Sequence, residues 1–166
     1  DMTPDNPNRA QFVLSSFVLG MAVGTFFIGP ISDSFGRKRV IYCGAVLYIF
    51  CAAICATTDN FDVLLFSRLG QGIGASAPRV VAQALIRDFY QGREMARISS
   101  FVMIIFSTVP ALAPLMGSFV MLAFAWQAIF GLFILFVAIS TIWMSVRIDE
   151  SVPANRRIPF RLSTIS

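Results

Sequence analysis

The stretch ISSFVMIIFSTVPALAPLMGSFVMLAFAWQAIFGLFILFVAISTIWMSV, residues 98–146, runs for 49 residues without an Asp, Glu, Lys or Arg. A hydrocarbon core of about 30 Å is crossed by roughly 20 helical residues at a rise of about 1.5 Å each. A single helix of that length would reach about 74 Å, so the run folds into two membrane spans. A break at Ala123-Phe124-Ala125-Trp126-Gln127 divides it into spans at 98–122 and 127–146. Trp126 then lies at one interface, and Trp143, close to Arg147, at the other.

Working outward, three more apolar stretches precede this pair, at 10–32, 40–58 and 63–86. The first two are uncharged, and the third holds Arg68 and Arg79. An all-α membrane protein of five transmembrane helices is predicted, with a bundle over residues 1–147 and a polar tail from 148 to 166. Composition agrees: 57% of residues are hydrophobic, 17 of 166 are Phe, and mean hydropathy is +0.75, outside the soluble range.

The basic residues give the orientation. Arg37, Lys38 and Arg39 lie between the first two spans, and Arg87, Arg93 and Arg97 between the third and fourth. The tail adds Arg147, Arg156, Arg157 and Arg161. Only Arg9 falls on the opposite side, with Asp59 and Asp62 in the second turn there. This asymmetry places the amino end outside and the tail in the cytoplasm. It also accounts for the net charge of +4, and no soluble basic domain exists to bind nucleic acid. The chain opens on Asp1-Met2-Thr3-Pro4 without a signal-peptide pattern, so it is expected to be a piece lacking an earlier helix.

Several chemistries are unsupported. There is no His, and no span contains a carboxylate. No Ser or Cys has a base nearby in sequence, so an enzyme is not expected. Cys43, Cys51 and Cys55 lie in the second span with no acid nearby, which reads as packing thiols and not as a metal site. A receptor would need a signalling domain, and none is appended.

Three local patterns remain. In Gly29-Pro30-Ile31-Ser32-Asp33-Ser34-Phe35-Gly36-Arg37-Lys38-Arg39, a helix ends on an acid, turns at Gly36 and presents three cations to head groups. In the third span, Arg68 and Arg79 are eleven residues apart, within roughly 20° of one face and about 16 Å apart in depth. Gln71, Ala75 and Gln83 share or border that face. The two arginines oppose insertion by about 5–7 kcal/mol at most, and the ten Leu, Ile, Val and Phe of the span return about 3–6. The span is near neutral and needs a protein or water environment, which points to a water-filled cavity face. Gly70, Gly72 and Gly74 in the same span suit close helix contact, and no strand precedes them as a dinucleotide loop would require. In the fourth span, Pro110 and Pro114 each remove an amide donor and bend the helix.

Together these strings resemble the major facilitator superfamily. The Gly29–Arg39 string is similar to its loop signature, which implies that Asp33 and Arg37 form a cytoplasmic latch, Lys38 continues the basic run, and Gly29 and Gly36 give close packing and the turn. Arg68, Gln71, Gly72, Gly74 and Ala75 resemble the fourth-helix signature, which implies a role for Arg68 in proton coupling; Arg79 lies outside that motif. Pro110, Pro114 and Gly117 are similar to the fifth-helix signature of drug:proton antiporters, with Ala113 and Ser118 where Gly is usual. Arg87-Asp88-Phe89-Tyr90 with Gly92-Arg93, and Asp149-Glu150-Ser151-Val152-Pro153 with Arg156-Arg157, resemble loops of the bicyclomycin-resistance-type (Bcr/CflA) exporters.

The resemblance implies a partial six-helix half, helices two to six, entering the central cytoplasmic loop at the tail. The first helix and the second half would be absent partners. It also implies a multidrug exporter in the bacterial inner membrane, with a small-molecule substrate, no cofactor and a proton gradient as driving force. A metabolite or sugar transporter of the same superfamily is the alternative. The proton-carrying acid would lie in the first helix.

Overall fold

The computed structural model describes residues 7–123 and 128–147. Five helices account for nearly all of them: α1 (Pro7–Phe35), α2 (Arg37–Thr57), α3 (Phe61–Phe89), α4 (Gly92–Ala123) and α5 (Ala128–Arg147). Most run beyond the apolar stretches that predict them, because polar flanks continue the helix. Thr58 is the exception: it caps α2 in an extended conformation. The break at 124–127, with Trp126, and the tail from 148 lie outside the described residues.

The turns are short and chemically specified. Gly36 alone separates α1 from α2, at φ 95°, a backbone angle that L side chains rarely adopt. Its amide donates to the Ser32 carbonyl at 3.2 Å, and its own carbonyl accepts from the Val40 amide at 3.3 Å. At the other end of the bundle, the Asn60 side chain accepts from the amides of Asp62 (2.9 Å) and Val63 (3.5 Å), capping α3. Asp62 in the first turn and Arg87 in the last complement the α3 dipole.

Helix α3 is the centre of the bundle, sandwiched between α1 and α2. Its glycines explain this. Residues two apart on a helix point to opposite flanks, about 200° around the axis. A Cβ at Gly72 would collide with the Phe17 carbonyl and Met21 amide of α1. At Gly74 it would strike the backbone of Gly44 and Tyr48, and at Gly70 the Cys51 side chain, all on α2. Gly20 and Gly24 on α1 meet α3 in the same way, at the Leu69 carbonyl and at Ile73 and Ser76. Lipid tails give helices no hydrophobic reason to associate, so such close backbone approach is what holds them.

Around these seams lie two apolar clusters. Ile28, Val40, Ala77 and Val81 form one, and Ala52, Cys55, Leu64 and Phe130 the other. Cys51 and Cys55 are buried packing thiols, whereas Cys43 is exposed. Helix α5 packs mainly on α2, and α4 barely touches α3 and α5. No described residue of α4 is buried.

Four helical segments are long and apolar enough to cross a membrane: Gln11–Phe35, Arg37–Thr57, Gly92–Val120 and Ala128–Val146. Helix α3 is not among them, in keeping with its near-neutral insertion balance. One packing expectation is corrected. A Cβ at Gly29 would meet nothing within 4 Å, so no neighbour among the described residues requires this glycine; the same is true of Gly117 on α4.

Candidate functional site

The first polar site sits at the end of the bundle where α1, α2 and α3 meet. The Gly36 turn points Arg37 inward, and its side chain is 8% exposed. Arg37 lies 3.8 Å from Asp33 one turn earlier, and it forms a closer ion pair, through Nη1, with Asp88 at the end of α3. Both carboxylates are about half-exposed. A buried guanidinium held between two partly wet carboxylates ties the α1–α2 turn to α3. Such a contact is strong while dry and weakens as water reaches it. Lys38 adds a hydrogen bond to the Ser145 carbonyl at 3.2 Å, linking the same turn to the end of α5.

Sequence reasoning paired Asp33 with Arg37 and did not assign Asp88. A signal existed: Asp88 and Glu94 are the two acids among the basic residues of the α3–α4 turn, on the face where Arg37 emerges. Charge alone could not choose between them, because the choice depends on where α3 ends.

The second site lies deep between α2, α3 and α5. Arg68 donates from Nη1 to Gln71 Oε1 at 3.3 Å, and its guanidinium sits 4.7 Å from the centre of the Phe130 ring. Tyr48 and Cys55 of α2 lie beside it. Gln71 was expected on an open cavity face; it is instead wholly enclosed, with Arg68 bonded to it one turn earlier on α3. Arg68 Nε and Gln71 Nε2 are buried without a hydrogen-bond partner among the described residues. The cluster can therefore still donate to an acceptor. Gly72, next in the motif, serves the α1 seam and not this cluster.

Arg79 has different surroundings. It is exposed, with its guanidinium 5.7 Å from the Phe106 ring of α4. The shared face of α3 thus presents one half-buried arginine and one open one. Pro110 and Pro114 lie within the continuous helix α4, and Pro114 is exposed. The sequence did not single out the groove between α2, α3 and α5. Its inner part, about 350 Å³, is lined by Tyr48, Ala75, Pro78 and Phe136; a neighbouring part of about 480 Å³ leads to Arg37, Lys38 and Trp143.

Comparison with known proteins now places this arrangement. The chain is 31% identical over 93% of its length to the MFS-type transporter YdgK of Bacillus subtilis. It is 32% identical over 97% of its length to a bicyclomycin resistance protein homolog of Haemophilus influenzae. It is 38% identical over 75% of its length to multidrug resistance protein MdtL of Citrobacter koseri. It spans 39%, 40% and 33% of those three relatives, respectively. The family profile described as Major Facilitator Superfamily matches residues 5–164. With five helices, a latch-like turn and an arginine-bearing central helix, this is an integral membrane chain that belongs to the Major Facilitator Superfamily.

Proposed function

We propose that the complete protein is a proton-coupled secondary transporter that exports drugs or other small molecules across the bacterial cytoplasmic membrane. In this reading the described helices belong to one half of an alternating-access machine, residues 1–147 form its bundle, and the tail enters the central cytoplasmic loop. The observation that carries it is the Arg37 clamp. An ion pair that is dry on one side and wet on the other can lock a closed cytoplasmic face and release when the halves rock. The relatives named for bicyclomycin and multidrug resistance support export of drugs over uptake of a nutrient.

Coupling is divided between parts. Arg68 with Gln71 forms a fixed positive site whose remaining donors fit a carboxylate. The apolar stretches 10–32, 40–58, 63–86, 98–122 and 127–146 contain no carboxylate, so in this reading the acid that carries the proton belongs to another part of the transporter. When deprotonated it would pair with Arg68, and when protonated it would release it.

Proteoliposomes holding the complete transporter test this. Bicyclomycin should accumulate in inside-out vesicles when the lumen is acidified, and collapsing the gradient should abolish accumulation. Gradient-independent equilibration would mean a uniporter. Failure to move bicyclomycin while a sugar or organic acid is moved would favour the metabolite alternative.

A further inference from the structure

One line of side chains on α3 is not used by the latch or by the Arg68 cluster. Arg79, Gln83 and Arg87 are spaced four residues apart, so each lies about 6 Å below the last and about 40° around the axis. All three are exposed. They descend the helix from mid-span to its cytoplasmic end, and the same spacing continues upward through Ala75 to Gln71. Beside the lower part is a cleft of about 320 Å³ between α3 and α4, lined by Gln83, Arg87, Met95, Ser99 and Met103.

The charge along this line is one-sided. No ion pair among the described residues engages Arg79 or Arg87, and Asp88 is committed to Arg37. Glu94, in the first turn of α4, has Arg93 beside it and Arg97 one turn on. An arginine nearly three turns inside a helix end is poorly tolerated unless water or a ligand reaches it. Arg79 rests beside Phe106, which orients the guanidinium without using its in-plane donors.

We propose that this line receives an anionic oxygen group, a carboxylate or phosphate, on the transported molecule. The cargo enters from the cytoplasm at Arg87 and is handed past Gln83 to Arg79. This inference rests on the transporter reading and adds to its cargo a class of small molecules that bear an acidic group. Cationic dyes would meet two like charges along the route and are poor cargo.

The test uses the complete transporter in detergent, with carboxyfluorescein as the anionic probe and ethidium as the cationic one, each titrated by fluorescence anisotropy. Carboxyfluorescein should bind about tenfold more tightly than ethidium, Arg79→Gln should weaken it about tenfold, and Arg79→Lys only about two- to threefold. Arg93→Gln, outside the cleft lining, should leave binding unchanged. Because Arg79→Lys keeps the charge, loss of binding in Arg79→Gln with retention in Arg79→Lys excludes a folding defect. Equal binding of carboxyfluorescein to wild type and Arg79→Gln, or tighter binding of ethidium, would overturn the proposal. So would displacement of carboxyfluorescein by dihexanoylphosphatidylglycerol at far lower concentration than by glycerol phosphate, which would identify a lipid head group as the occupant. Arg79-dependent binding with no movement of the probe in proteoliposomes would retain the anion site and refute the transporter reading instead.

Discussion

Helices α3 and α4 are consecutive and similar in length, 29 and 32 residues, yet they stand at opposite extremes of the molecule. Helix α4 is among the apolar segments suited to a bilayer, and none of its described residues is buried. Helix α3 carries two arginines, fails that hydropathy criterion, and has ten buried residues. In a bilayer, apolarity decides whether a helix leaves water; it does not decide which helices adhere. Adhesion here follows small residues on opposed faces and polar groups that need partners. Both are concentrated on α3.

The sharpest way to break this comparison is to add a methyl group on each side of it. Gly72→Ala would drive a Cβ into the Phe17 carbonyl of α1, which is backbone and cannot rotate away. The expected loss is about 3 kcal/mol or more, enough to abolish monodisperse protein in detergent. Gly117→Ala on α4 meets nothing within 4 Å and should be neutral or stabilising by up to about 1 kcal/mol through helix propensity. Size-exclusion profiles and thermal unfolding of the two variants decide the matter. Equal behaviour would mean that the α1–α3 seam is not the organising contact.

Next in size is the clamp. Asp88→Asn leaves the Arg37 guanidinium buried with a weak partner at 3.8 Å, whereas Asp33→Asn leaves the closer pair intact. A fully buried pair that loses one member is destabilised by about 3–5 kcal/mol; half-exposed carboxylates bring this nearer 1–2. Disulfide cross-linking across the cytoplasmic face of the complete transporter should fall most in Arg37→Ala, then Asp88→Asn, then Asp33→Asn. Substrate affinity should stay within a few-fold. A larger effect from Asp33→Asn than from Asp88→Asn would return the latch to the single pair read from sequence.

Much of this was legible before any coordinates. Apolar runs gave the helices, and Gly36 gave the turn. Helix α3 announced its glycines, although their division between α1 and α2 depends on two-residue spacing that a glycine count hides. What was not legible depends on distant parts of the chain meeting. Phe130, 62 positions from Arg68, supplies the ring beneath it. Asp88 pairs with a residue 51 positions away. Gly29 and Gly117 show the converse: a motif glycine is visible in sequence, but whether anything packs against it is not.

The two arginines of α3 sharpen the contrast by chemistry more than by stability. Arg68 is half-buried beside Phe130, and Arg79 is open to its surroundings. In a cysteine-free background, cysteine placed at 79 should react with an aqueous sulfonate reagent at least about tenfold faster than cysteine at 68, since thiol reactivity follows access. Arg68→Ala should abolish gradient-driven transport while leaving the protein inserted. Equal protection of both positions, with normal labelling in the α3–α4 turn, would bury Arg79 as well and remove the open line on α3.

The smallest expected effect lies at the N-terminal end of α3. Asn60 caps the helix through Oδ1, accepting from two amides that otherwise have no intrahelical partner. Asn60→Ala should destabilise by about 1 kcal/mol, and Asn60→Asp should retain the cap and favour the positive end of the helix dipole. The cap starts the central helix, and a start displaced by one residue turns every later position by about 100°. Gly70, Gly72 and Gly74 would then miss their seams. If α3 is placed by its seams, Asn60→Ala lowers the unfolding temperature slightly and leaves transport intact. If the cap sets the register, the same substitution lowers both together, and Asn60→Asp restores both. Concordant loss and rescue would shift the origin of the fold from the glycine contacts to the turn that precedes them.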